Sequence, residues 1–153
     1  MLRRLVPLLI LPLLAADDKK FELSEVDKAI FELTNKEREK EKLSALTVSP
    51  LLCEVARKHS ANMAKQGEMK HELNGKNPAD RVKAAGYEYK FMAENIAASD
   101  GDKPEGIVKA WMDSEHHREN ILNGKFTEIG LGSASNDKET FYTQVFATPK
   151  RKR

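Results

Sequence analysis

Between Ser24 and Lys42 apolar side chains return at Val26, Ala29, Ile30 and Leu33, the spacing of one helical face, and Ser24 followed by Asp27 resembles a capping box. The rest of that segment, NKEREKEK, is almost all charge and fits a solvated face with i,i+4 pairs. Ser49 and Pro50 predict the start of a second helix: the serine oxygen can cap free amides, and proline in the first turn loses no hydrogen bond. Leu51, Leu52, Val55, Ala56, His59, Met63 and Ala64 follow at helical spacing, and Gly67 ends the run. His59 falls on this buried stripe and is expected to be a core histidine with a local hydrogen bond. Asn77, Pro78 and Asp80 predict a shorter helix ending at Gly86, and another begins near Pro104 with Ile107, Val108, Ala110, Trp111 and Met112.

Past Leu122 the period changes from helical to alternating. Asn123-Gly124 is a turn signal, and from Thr127 to Ser135 Ile129 and Leu131 face one way while Gly130 and Gly132 face the other. SNDKE forms a hairpin loop, and ETFYTQVFA returns with Phe141, Thr143 and Val145 opposing Tyr142, Gln144 and Phe146. A strand apolar on both faces is covered on both, which predicts an α+β chain in which a sheet is sandwiched between helical layers. YEYKFM, residues 87–92, is a candidate third strand.

The N-terminus bears on compartment. Arg3 and Arg4 precede LVPLLILPLL, then Ala15, Ala16 and the charged DDKK, the order of a secretory signal. The apolar run is half of the ~20 residues a membrane-spanning helix needs and holds two prolines, so no transmembrane anchor is expected in the mature chain. The expected organisation is a signal peptide over 1–16, a short segment over 17–23, one domain over 24–148 and a basic tail over 149–153. Arg3 and Arg4 are the whole charge of the signal, so the formal +2 of the full sequence becomes zero without it. A neutral chain has no long-range attraction for nucleic acid, and none is expected as a partner. The single Cys53 can form no intrachain disulfide, so the core alone must supply the stability of a secreted monomer.

The polar residues narrow the chemistry. HExxH, CxxC and a Gly-rich phosphate loop are all absent, and His59 and Ser60, adjacent on a helix, diverge by about 100° and cannot form a base and nucleophile pair. In WMDSEHHRENIL, Ser114 can cap a new helical turn. With Ile121 and Leu122 setting its inward face, His116 lies opposite and exposed, whereas His117 lies on the flank, where a residue lines a groove. Glu115, in the first turn, is favourably placed against the helix dipole. Trp111, Met112, Phe91 and Met92 are either core or the wall of a lipid groove, and Gln144 either satisfies a hydrogen bond in a cleft or faces solvent from its strand.

Five segments in order, HSANMA, MKHELNGKNPADRVKAAGY, AENIA, WMDSEHHRENILNGKFTEIGLG and FYTQVF, resemble the CAP superfamily of cysteine-rich secretory, antigen 5 and pathogenesis-related proteins (the SCP domain), in its bacterial, disulfide-free branch. The resemblance spans about residues 24–147. It implies an α-β-α sandwich with a central, mainly antiparallel sheet of three or four short strands, and a cleft holding two histidines and two acids. The cleft histidines match His71 and His117, and the acid of the family's Gly-Glu-Asn motif matches Glu94, with Ala93 in place of the glycine. Ser114 stands where eukaryotic members carry the second acid, so Glu115 would have to lean in to replace it. His71, His117 and Glu94 then either bind zinc or a similar divalent ion or form a buried network without metal; no cofactor is required. The expected function is that of a secreted protein, extracellular or in the periplasm and cell envelope, which binds a small lipid, peptide or envelope ligand in the cleft. The alternative is a divalent-metal hydrolase with Glu94 as the favoured base.

Overall fold

The computed structural model describes residues 21–101 and 103–150. Helix α1 spans Glu25–Lys40, strand β1 Thr47–Val48, helix α2 Pro50–Gln66, helix α3 Pro78–Ala84 and strand β2 Tyr89–Ser99. They are followed by helix α4, Pro104–Asp113, helix α5, Glu115–Ile121, and strands β3, Glu128–Ser135, and β4, Thr140–Pro149. The expected signal segment lies outside the described residues, as does most of the basic tail.

The capping signals carry over into structure. The Ser49 hydroxyl accepts from the Leu52 amide, Gly67 closes α2 in the left-handed region at φ 65°, and Asn77 and Asp80 form a reciprocal capping box on α3. Ser24 accepts from the Asp27 amide at 3.1 Å. Ser114 occupies the N-cap position of α5, but its side chain makes no capping hydrogen bond there.

The four strands lie in the order β1-β3-β4-β2, with β1 parallel to β3 and the other two pairings antiparallel. The sheet is therefore mixed. The two-residue β1 has no alternation to betray it, and β2 runs seven residues past the expected end because AENIAAS pairs continuously with β4 from Ala93↔Phe146 to Ser99↔Thr140. Helix α2 covers one face of the sheet, and α1, α4 and α5 cover the other. Ile129 and Leu131 join the core beneath α1 and α4, while Gly130 and Gly132 admit α2 directly onto β3. A β-carbon on Gly130 would lie 2.1 Å from the Leu52 backbone, and one on Gly132 2.3 Å from that of Arg57, so only glycine allows this approach. Ser60, beside His59, points into the same interface and bonds the Gly132 carbonyl at 2.9 Å and the Thr143 hydroxyl at 2.7 Å.

Helix α1 departs from expectation. Its buried positions are Asp27, Ile30, Thr34 and Arg38, so the inward stripe is largely polar and Val26 is exposed. Arg38, expected on a solvated face, is 1% exposed and donates to the carbonyls of Ser44, Ile121, Asn123 and Phe126. Its long side chain satisfies the end of α5 and the turn after it.

Candidate functional site

Strand β2 forms an edge of the sheet, and alternation turns Glu94 towards α2 and Asn95 towards α5. The Glu94 side chain is 2% exposed, yet both of its oxygens are engaged. One accepts from Arg81 Nη2 of α3 at 2.7 Å, the other from His71 Nδ1 at 2.9 Å. A carboxylate only accepts, so the His71 proton sits on Nδ1 and Nε2 is turned away from Glu94. Arg81 also donates through Nη1 to the carbonyls of His71 and Lys76, at 2.8 and 2.9 Å, and so fastens the loop carrying His71 to α3.

His59 approaches the same carboxylate from α2, with Nε2 3.7 Å away. It is buried as expected, but neither ring nitrogen has a hydrogen-bond partner among the described residues. Burial lowers its pKa from the ordinary 6.5; Glu94 opposes this, Arg81 adds to it, and the Lys70 backbone nearby raises it slightly without reaching hydrogen-bond geometry. The ring is therefore held neutral beside an ionised pair.

The other half of the site is built from the opposite face. Asn95, fully buried, donates to the His117 carbonyl at 3.1 Å and to Gln144 Oε1 at 3.2 Å, and accepts from Asn120 at 2.8 Å. Gln144 continues the chain to the Thr34 hydroxyl at 2.8 Å. His117 is half-buried, and burial, then His71 and His116, lower its pKa. His71 thus adds to the lowering at His117 although the two come from opposite layers.

Several expected site residues lie elsewhere. Gln144 is fully buried on the face away from Glu94 and belongs to the polar core behind His117, neither lining the Glu94 site nor facing solvent. Glu115 is exposed and forms no hydrogen bond with the Glu94 group among the described residues, and half-buried Ser114 forms none with it either. His116 is exposed, 3.8 Å from Glu119. Trp111 is core, donating to the Ile96 carbonyl at 3.0 Å, while Met92 packs on the α2 face and Phe91 is 44% exposed, so the four do not share a groove. Among the described residues no cluster of three or more His, Cys, Asp or Glu side chains is arranged to hold a metal ion. Arg81, His59 and Asn95 are the additions. Asn95 follows Glu94 directly, but nothing local announces that Arg81, thirteen residues earlier, would close on that acid.

The neutral His59 and His117 have a consequence for stability. Their folded pKa values lie below the ordinary 6.5, so as pH falls through 6.5 the unfolded chain binds protons first. Stability is full above that value and declines below it until the folded rings titrate. Urea unfolding at pH 7.5 and 5.5 is expected to show a loss of about 1 kcal/mol or more at the lower pH, with a shallower slope in His59→Asn; equal stability at both values would contradict the assignment.

The model of the cysteine-rich secretory protein family, CAP, matches residues 31–146. The uncharacterized protein YkwD of Bacillus subtilis is 41% identical over 126 residues, which cover 81% of this chain and 48% of that protein. The chain thus spans about half the length of this relative. An extracellular Bacillus anthracis protein containing an SCP domain superposes with a TM-score of 0.71 at 33% identity, covering 78% of this chain and 39% of that one. An outer surface protein of Borrelia burgdorferi superposes with a TM-score of 0.78 at 22% identity, over 85% and 97% of the respective chains.

Proposed function

Because the chain belongs to the cysteine-rich secretory protein family, we propose that it works outside the cytoplasm, secreted or at the cell envelope, as a binding domain whose cleft is built around His71, Glu94 and His117. The observation that carries this reading is the state of Glu94. A general base needs a free oxygen aimed at the proton it takes, and a metal ligand needs a free lone pair towards the ion. Glu94 gives one lone pair of each oxygen away, to Arg81 and to His71, and at 2% exposure its remaining lone pairs are shut off from solvent. Its chemistry is positional: it fixes the His71 tautomer and leaves Nε2 as an acceptor at the edge of β2, beside a neutral His117. A held His71 imidazole and a neutral His117 suit a small lipid, peptide or envelope ligand with donor groups. NMR titration of the protein with envelope-lipid extract and with soluble wall peptides tests this. Shifts of the His71 and His117 imidazole signals are expected, abolished in the His71→Ala, His117→Ala variant; shifts unchanged in that variant would overturn the reading.

A divalent ion fits this donor set only in part. His71 Nε2 and His117 would hold it, with Glu94 behind His71 as an orienting carboxylate, which is one protein ligand fewer than catalytic zinc sites use. When bound, such an ion would supply Lewis acidity. Zinc titration is expected to show weak binding that is lost in the His71→Ala, His117→Ala variant. Peptide or ester turnover that is zinc-dependent and lost in Glu94→Gln would establish the hydrolase instead.

A further inference from the structure

A concavity is walled in part by His59 and Arg81, the residues that also approach Glu94. It has a volume of about 570 Å³, within the range of small-molecule sites, and sits between α2, the loop 68–77 and α3. Glu94, His71 and His117 do not line it. Its apolar walls are Leu51, Val55, Leu73, Ala84 and Ala85. Its polar lining is Lys58, Lys76, Arg81, His59, Asn62, Asn74 and the single acid Glu54.

The hydrogen-bond account of that lining is one-sided. Glu54 is paired with Lys58 at 2.5 Å. Asn62 Oδ1 already accepts from Gln66 and from Asn74, and Asn74 Oδ1 accepts from Gln66. The side-chain acceptors are thus largely committed, whereas among the described residues the Lys76 ammonium carries no ion pair and Arg81 Nε is a buried donor with no partner. His59, with a side chain 0% exposed, adds two more unpartnered ring nitrogens in the wall the pocket shares with the Glu94 site. Buried polar atoms without partners are costly, and three of them beside one cavity mark it as a place where polar groups of an occupant are expected. The free donors, Lys76, Arg81 Nε and the single N–H of the neutral His59 ring, call for an acceptor-rich, anionic group; aliphatic walls call for a compact apolar one.

We propose that the pocket between α2 and α3 binds a carboxylate attached to a branched aliphatic group, the chemistry shared by a peptide ending in an apolar residue and by a short acyl acid. The carboxylate lies towards Lys76 and Arg81 Nε, and the aliphatic group lies on Leu51, Val55 and Leu73.

Calorimetric titration of the full chain with N-acetyl-leucine and with 4-methylpentanoate, each beside its neutral amide, tests this. The acids are expected to bind about tenfold more tightly than the amides. N-acetyl-leucine ahead of 4-methylpentanoate would identify a peptide end, and the reverse order an acyl acid. Exposed positions allow variants that keep the fold: Ala84→Trp fills the mouth, and the Lys58→Glu, Lys76→Glu pair reverses its charge. Both should reduce acid binding about tenfold or more, while His71→Ala leaves it unchanged, which separates this pocket from the cleft. Amides binding as well as acids, or affinity unaltered in both pocket variants, would overturn the proposal.

Discussion

Replacing Arg38 with Met is expected to cost about 3–5 kcal/mol, enough to consume much of the stability of a domain this size. Methionine matches the length of the arginine stem and keeps its packing, so the loss isolates the guanidinium. That group donates to the carbonyls of Ser44, Ile121, Asn123 and Phe126 at 2.8 to 3.3 Å, all within or bordering the core. Without it, the end of α5 and the turn that leads into β3 present carbonyls to an apolar interior with no water to take them. Burial lowers the Arg38 pKa, yet arginine stays charged at any working pH, and the partial negative charge at the C-terminal end of α5 favours that cation. Arg38→Lys should recover only part of the loss, because one ammonium cannot span four carbonyls in a planar fork. The check is urea unfolding of the three proteins; a Met variant within 1 kcal/mol of wild type would contradict the role assigned to Arg38.

Removing Arg81 is expected to be of similar size for a different reason. Glu94 is 2% exposed and Arg81 11%, so Arg81→Met strands an ionised carboxylate in the protein with only His71 to compensate it, at about 3–5 kcal/mol. Glu94→Leu should cost less, because Arg81 keeps the carbonyls of His71 and Lys76 as partners. The double variant is expected to be more stable than Arg81→Met alone, since the stranded charge has gone. A thermodynamic cycle on the three variants reads this coupling directly. Additive losses would show that the pair is not one unit.

The parts of this molecule legible in its sequence are those governed by near neighbours. Ser49-Pro50, Asn77-Pro78-Asp80 and Gly67 punctuate helices through contacts three or four residues away, and they did so as expected. The alternation Ile-Gly-Leu-Gly identified both faces of β3, although the reason for its glycines, the backbone of α2 at 2.1 Å, depends on a distant segment. Where pairing partners are far apart, local pattern fails. Strand β1 is two residues held by parallel pairing 81 positions away in the chain, and the charged glutamate inside AENIAAS hides a strand whose acid is neutralised from α3 and the loop before it. Arg38 looks like any surface cation among NKEREKEK until the carbonyls after α5 are placed over it.

The candidate site divides in the same way. His71 and Glu94 were identified by resemblance to a family pattern, and the structure brings them to 2.9 Å. Helical geometry placed His117 on a flank and His116 outside, in line with their half-buried and exposed positions. Arg81 and His59 escaped because their significance lies in what they touch: one reads as an ordinary helix cation, the other as an ordinary core histidine. Gln144, expected either in a cleft hydrogen bond or facing solvent, falls by strand alternation on the face away from Glu94: Glu94 pairs with Val145, and Gln144 pairs with Asn95.

The central claim is that Glu94 serves to hold imidazoles rather than to take protons from a substrate, and the His71 tautomer reports on it most directly. Long-range proton–nitrogen NMR of the full chain at pH 8 resolves which ring nitrogen carries the proton. The geometry predicts Nδ1–H for His71, reverting towards the Nε2–H form that free histidine prefers when Glu94 is replaced by Leu. An Nε2–H His71 in the wild-type protein, unchanged in the variant, would contradict it.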